Sequence, residues 1–176
     1  MIDYTKEELV ELLRKQDEKF NAWKLEQEEV DLSEVDFSGM TLNEIDFSNV
    51  DLNSSSFADC NLSLINFTGA DLTSVDFTRS RALECDFTEA LLTGSDCSYA
   101  EMTYCNFSES DLAGCVFSET NLSNSDFSSS ENLAACRYDD GTTWPDDELL
   151  PEDFDSTLHN DLSSLEDEDD AVASDY

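Results

Sequence analysis

Apolar and polar residues alternate along this chain in blocks of five, almost without a break, from residue 30 to residue 129. A block such as Val35-Asp36-Phe37-Ser38-Gly39 has a small or β-branched residue first, usually Asp or Asn second, Leu or Phe third, and usually Ser or Thr fourth. With Val30 as the first position, Leu and Phe alternate almost strictly at the third position from Leu32 to Phe127. Tandem repetition of this kind is typical of a solenoid.

A period of five fits neither a regular helix nor a straight strand. In a helix the apolar position would rotate by about 140° per block, and in a strand it would change face with every block. Within a block, however, the first and third residues are apolar and the second is polar, as in a short strand. The pattern therefore predicts a three-residue strand and a bend in each block, with coils stacked about 4.8 Å apart. The Leu/Phe alternation requires an even number of blocks per coil, which leaves two, four or six open.

The blocks resemble those of the pentapeptide-repeat family, whose motif is Ala-(Asp/Asn)-Leu-x-x. Twenty tandem blocks carry this resemblance over residues 30 to 129, with a weaker extension to about residue 140. The resemblance implies an all-β fold, a right-handed quadrilateral β-helix with four blocks per coil and about five coils. It also implies that Phe residues twenty positions apart stack in one ladder and Leu residues in another.

The pattern is broken in two places. Ala82 is small for its ladder, and Leu83 beside it is large for an outward position. One residue is inserted at Ser128-Ser129-Ser130, where we expect a bulge followed by a partial sixth coil.

The segments outside the repeats predict caps, because a solenoid otherwise exposes its core and a sheet edge. Residues 1–29 are predicted to form an N-terminal capping helix, opened by a Thr5–Glu8 capping box and similar to the helical leader found before such repeats. Residues 30–139 are the predicted β-helix. Residues 140–154 are the predicted C-terminal cap, in which Trp144 covers the last coil, as in a terminal segment common in cyanobacterial members. Residues 155–176 are predicted to be a disordered acidic tail.

The sequence offers little for catalysis or metal binding. Its single histidine, His159, lies in the predicted tail, and no glycine-rich phosphate loop is present. The six cysteines occupy inward first or third positions and are interpreted as core residues: Cys60, Cys85, Cys97, Cys105, Cys115 and Cys136. We therefore expect a non-catalytic protein without cofactor or metal. A charged N-terminus and the lack of a long apolar run favour a cytoplasmic location.

Charge is the strongest functional signal. The formal net charge is −35, and the predicted β-helix carries about 0.7 negative charge per Å, close to the value of about 0.6 for B-DNA. Such a rod repels nucleic acid and attracts basic surfaces. The family includes DNA mimics that bind topoisomerase II enzymes such as DNA gyrase, so the resemblance makes a DNA mimic one hypothesis. The preferred hypothesis is an acidic protein-binding scaffold that contacts neither nucleic acid nor membrane.

One surface region departs from the acidic and polar pattern. If four blocks form a coil, Leu64, Arg81, Leu83 and Tyr104 share one face, and Arg79 and Tyr99 lie at its leading corner. Clustered aromatic, Leu and Arg side chains are typical of a protein-docking surface. The alternative is that Leu83 fills the space left by Ala82.

Overall fold

The computed structural model describes residues 4–15 and 18–157. Within these residues the chain forms helices α1 (Lys6–Arg14) and α2 (Lys19–Lys24), followed by strands β1 (Thr41–Asn43), β2 (Asn61–Ser63), β3 (Arg81–Leu83) and β4 (Glu101–Thr103). Two short 3₁₀ helices follow, at Leu133–Ala135 and Asp147–Leu149. The predicted acidic tail lies, apart from its first three residues, outside the described residues.

Parallel pairing between residues twenty positions apart runs along the repeats. The four strands form one sheet in the order β1-β2-β3-β4, in which Leu42 pairs with Leu62. Single bridges repeat the same spacing in the other blocks, as between Asp46 and Asn66. Each coil therefore contains four blocks, which confirms the value implied by the family resemblance. The fold is a right-handed quadrilateral β-helix with a small N-terminal helical part.

Two local features form the corner in most blocks. The carboxylate or amide oxygen at the second position accepts a hydrogen bond from the backbone N–H of the fourth residue, as Asp36 does from Ser38 at 2.8 Å. The fifth residue then has a positive φ, between 53° for Glu84 and 71° for Gly39. This left-handed conformation turns the chain, so one such residue per block supplies the bend that the five-residue period predicts.

The interior is filled by stacked side chains from the third position of each block. Along one ladder Phe87, Phe107 and Phe127 stack with ring centroids 4.8 and 4.5 Å apart. Rings of adjacent ladders meet edge to face, as Phe57 and Phe67 do at 5.7 Å. All these rings are fully buried. The predicted Phe ladder is therefore present.

The first coil is covered by two helices rather than by one. A single helix over residues 6–24 would be about 28 Å long, whereas one face of the prism is only about 10 Å wide. The shorter α2 instead places Phe20 against Phe47, with ring centroids 5.4 Å apart. The side chain of Asn21 donates to the Glu44 carbonyl at 2.8 Å and accepts from the Asp46 N–H at 3.0 Å. It thereby satisfies part of the open sheet edge.

The far end is closed by the segment after the repeats. Trp144 packs edge to face on Phe117 and Phe127, with centroid distances of 6.0 Å to each. The N–H of Leu122 donates to the carbonyl of Thr143 at 2.8 Å, which continues the coil beyond the last full turn.

The inserted residue lies later than the sequence predicts. Glu131 still pairs with Asp111, twenty positions away, but Arg137 pairs with Val116, twenty-one positions away. The extra residue is thus absorbed between them, in the 3₁₀ turn Leu133–Ala135. The expected position at Ser128-Ser129-Ser130 was wrong because this turn points Leu133, one residue later than the repeat requires, into the core.

No helix within residues 4–15 and 18–157 is long and apolar enough to cross a lipid bilayer.

Candidate protein-docking face

The four faces of the prism differ in charge. We number them in chain order, so that face 1 holds the blocks beginning at residues 30, 50, 70, 90 and 110, and faces 2, 3 and 4 follow at steps of five. Faces 1, 2 and 4 each carry five acidic residues, whereas face 3 carries three. Ten blocks have Asp at the second position, and none of them lies on face 3. Acidity is therefore concentrated on three sides.

Face 3 is the side formed by strands β1–β4. Its second positions are occupied in these strands by Thr41, Asn61, Arg81 and Glu101, and in the last block by Asn121. In the four strands three consecutive residues are extended, whereas most other blocks form only a single bridge before the turn. Face 3 is therefore the side with the most continuous strand structure, and it carries the fewest acidic residues.

Three of the predicted site residues lie together on this face and its trailing corner. The N–H of Leu64 donates to the carbonyl of Leu83 at 3.0 Å, so these residues occupy adjacent coils. Tyr104 lies at the same corner as Leu64, two coils further along. The exposed fractions are 46% for Leu64, 38% for Leu83 and 59% for Tyr104. An apolar, aromatic surface is thus present on a largely polar prism.

Tyr99 and Arg79 lie at the leading corner, between faces 2 and 3. They occupy adjacent coils, because the N–H of Arg79 donates to the carbonyl of Ser98 at 3.0 Å. Tyr99 is 63% exposed. The patch of predicted site residues (Leu64, Arg79, Arg81, Leu83, Tyr99 and Tyr104) therefore extends from face 3 around its leading corner.

Both predicted arginines are engaged in ion pairs. Arg79 donates two hydrogen bonds to Asp59, at 2.8 and 2.9 Å, and Arg81 donates to Glu101 at 3.1 Å. The guanidinium of Arg79 lowers the pKa of Asp59, and this hydrogen-bonded carboxylate in turn raises the pKa of Arg79. The sequence placed these arginines on the patch, but their partners depend on stacking of coils twenty residues apart. The patch is therefore less positive than its composition indicates.

Leu83 does not project into the space beside Ala82. Ala82 is fully buried, while Leu83 next to it in β3 points outward and is 38% exposed. Adjacent residues of a strand point to opposite sides. The gap-filling explanation of Leu83 thus does not fit this geometry.

Sequence reasoning overlooked one exposed leucine on another face. Leu91 occupies a second position on face 1, pairs with Asp71 and Asp111, and is 47% exposed. The sequence does indicate this exposed leucine, because an apolar residue stands there at a position where the repeat prefers Asp or Asn. It stands apart from the patch and provides a natural control.

The surroundings of four cysteines disfavour the thiolate, whereas the hydrogen bond with the Cys105 thiol lowers the pKa of Cys85. All six are free and buried. Burial raises the pKa of Cys60 to about 11 and that of Cys97 well above its ordinary value, which disfavours the thiolate. In the part of the chain that the structure describes, no group of three or more His, Cys, Asp or Glu residues could hold a metal ion.

Three solved structures are among those to which this chain is similar. HetL, a pentapeptide repeat protein involved in heterocyst differentiation regulation in the cyanobacterium Nostoc, is 17% identical over 66% of this chain and 64% of its own, with a TM-score of 0.41. Rfr23 from the cyanobacterium Cyanothece is 19% identical over 72% and 98%, with a TM-score of 0.44. QnrB1, a plasmid-mediated fluoroquinolone resistance protein, is 21% identical over 68% and 59%, with a TM-score of 0.50. This chain thus spans less than two thirds of HetL and of QnrB1.

No curated protein sequence gives a significant match. The family model described as pentapeptide repeats matches residues 31–69, 70–108 and 100–131, in eight copies. These matches cover more than half of the chain, and the chain therefore belongs to the pentapeptide-repeat family.

Proposed function

We propose that this protein is a non-catalytic scaffold that binds a partner protein through face 3 and the corners on either side of it. The observation that carries the proposal is the segregation of charge. Aspartate at the second position is absent from face 3, and exposed Leu64, Leu83 and Tyr104 lie there instead. Interface centres are depleted of charge and enriched in aromatic side chains.

The size of face 3 limits the kind of interface it can form. Five coils give a length of about 24 Å and three extended residues a width of about 10 Å, so the flat area is about 240 Å². A stable interface buries about 800 Å² on each partner. The partner must therefore reach around the corners, where Tyr99 and Arg79 lie on one side.

The neighbouring acidic faces define the charge of the partner. A surface that extends past face 3 meets Asp76 and Asp96 on face 2 or Asp86 and Asp126 on face 4. Basic side chains at the rim of the partner would be attracted by these carboxylates, which accelerates association and suppresses acidic competitors. The net charge of −35 opposes binding to nucleic acid.

A DNA mimic that binds a gyrase-type topoisomerase is the second candidate. It is favoured by the high charge density of the repeats and by the aspartates on three faces. Such binding would use many carboxylates at once, would weaken steeply with salt and would be competed by duplex DNA. Inhibition of gyrase supercoiling at micromolar protein, unchanged by Tyr104→Ala, would favour the mimic over the scaffold.

The scaffold proposal is tested by affinity capture from the source cell at low and high salt. The bait is compared with two variants, Leu83→Ser combined with Tyr104→Ala on face 3, and Leu91→Ser on face 1. We expect the captured protein to persist at high salt, to be lost with the face 3 variant and to be retained with Leu91→Ser. Equal capture by both variants, with release by salt, would contradict docking through face 3.

A further inference from the structure

The trailing corner of face 3 carries a ladder of three different side chains on successive coils. The N–H of Leu64 donates to the carbonyl of Leu83 at 3.0 Å, and the N–H of Glu84, the next residue, donates to that of Thr103 at 3.1 Å. Tyr104 follows Thr103, so Leu64, Glu84 and Tyr104 stack in that order. The ladder spans about 10 Å from its first to its last residue.

Glu84 differs from the other acids of the patch. Asp59 and Glu101 are neutralised by Arg79 and Arg81. Among the described residues no cation pairs with Glu84, which is exposed and lies between an exposed leucine and an exposed tyrosine. The corner therefore presents one free carboxylate with an apolar group on one side and an aromatic ring on the other.

We propose that this ladder receives an arginine side chain of the partner protein, with Glu84 as the residue that selects it. The guanidinium would pair with the Glu84 carboxylate and stack on the Tyr104 ring, while the aliphatic stem covers Leu64. A planar guanidinium both binds carboxylates through two N–H groups and stacks on aromatic rings, which an ammonium does less well. The inference rests on the proposed docking at face 3 and adds the chemistry that is recognised there.

The repeat supplies a closely matched control. Glu109 occupies the same fifth position as Glu84, with φ of 57° compared with 53°, and is likewise exposed. It lies on face 4, in a corner ladder with Glu89 and Gly69. Conversion of either glutamate to glutamine removes one charge from the same backbone conformation, so the two variants differ only in their surroundings.

The test is an NMR titration of the ¹⁵N-labelled protein with N-acetyl-arginine amide. The parallel probes are N-acetyl-lysine amide and the neutral N-acetyl-citrulline amide. We expect saturable shifts centred on Leu64, Glu84 and Tyr104 with arginine amide, with a Kd on the order of millimolar, and weaker shifts with lysine amide. Citrulline amide should produce no saturable shift.

Glu84→Gln should weaken arginine amide binding about threefold to fivefold, and Tyr104→Leu should weaken it similarly, because each removes a surface contact of modest strength. Glu109→Gln should leave binding unchanged. Shifts spread evenly over the acidic faces, equal effects of Glu84→Gln and Glu109→Gln, or tighter binding of lysine amide would overturn the arginine site. Docking through Leu83 and Tyr104 could still stand in that case, because its capture test depends on Leu83 and does not involve Glu84.

Discussion

At each corner of the coil a single backbone conformation determines which side chains the surface can present. The fifth residue of a block has a positive φ, and this position is held by Gly39 and Asn49 but also by Leu64, Tyr99 and Tyr104. Large side chains are disfavoured in this region because Cβ approaches the backbone. Each of these non-glycine side chains is thus kept in the left-handed region at some expense of backbone stability, as are the Glu, Ser and Asp residues at the same position of other blocks.

This conflict makes Tyr104→Gly an informative substitution. Glycine adopts φ of 58° without steric strain, so we expect the free energy of unfolding to rise by about 1 kcal/mol. Tyr104→Ala, which retains Cβ, should bring no comparable gain. Denaturant titration of both variants measures the difference. A destabilised Tyr104→Gly would mean that the ring contributes to folding rather than to binding.

In the core, in contrast to Tyr104, loss of an aromatic ring should lower the free energy of unfolding. Phe67 is fully buried, and its ring stacks on those of Phe47 and Phe87 at 5.6 and 5.0 Å. We expect Phe67→Ala to lower the free energy of unfolding by about 3–5 kcal/mol, because it leaves a gap in a continuous ladder. Asn66→Ala should lower it by about 1 kcal/mol, since mainly the bond from the Thr68 N–H is lost. Similar losses in urea titrations would contradict the inward position of Phe67.

At the scale of elements, sequence reasoning succeeded where the repeat itself encodes the structure. The strand and bend of every block follow from its period, and the Phe ladders follow once a coil contains four blocks. The two helices of the cap and the turn at Leu133–Ala135 were not predicted, because they depend on how a segment fits the open end of the prism. The Arg79–Asp59 and Arg81–Glu101 pairs follow from their twenty-residue spacing, a signal that was present but not used.

An ion pair connects the N-terminal cap to the first coil, and its contribution to stability depends on pH. Lys6 Nζ lies 2.7 Å from Asp31 Oδ1, and hydrogen bonds from Lys6 and Ser33 lower the pKa of Asp31 from 3.8 to about 2. Because the folded-state pKa is depressed, this contribution is present above about pH 4. It is lost as pH falls through the folded value near 2. The exposed pair should contribute less than about 1 kcal/mol.

Asp31→Asn tests this contribution, because the amide can still accept the bond from the Ser33 N–H. We expect the variant to be less stable than the parent at pH 7 and equally stable near pH 2. Asp126→Asn is the control, since Asp126 accepts the same local bond from Ser128 and has no ion pair among the described residues. Thermal unfolding from pH 2 to pH 7 measures the difference in melting temperature between each variant and the parent. A difference for Asp31→Asn that persists at pH 2 would contradict a stabilising role of the Lys6–Asp31 ion pair.

For the whole molecule, repulsion between the carboxylates of the acidic faces should make stability depend on salt. A net charge of −35 includes aspartates stacked on successive coils, such as Asp31, Asp51 and Asp71. Like charges about 5 Å apart repel each other, and salt screens this repulsion. We expect the melting temperature to rise as sodium chloride increases from about 20 to 500 mM, over which range the screening length falls severalfold. A fall over this range would show that attractive surface pairs dominate.

Acidic residues are concentrated on faces 1, 2 and 4, and this distribution leads to the central claim that a partner protein docks on face 3. Hydroxyl-radical footprinting tests it most directly, because exposed tyrosines and leucines occur on the patch and one exposed leucine, Leu91, occurs on face 1. The oxidation of each residue is measured in the free protein and in the complex with the captured partner. We expect protection of Leu83, Tyr99 and Tyr104 and unchanged oxidation of Leu91. Protection of Leu91 equal to that of Tyr104, or an intact complex in which neither is protected, would contradict the claim.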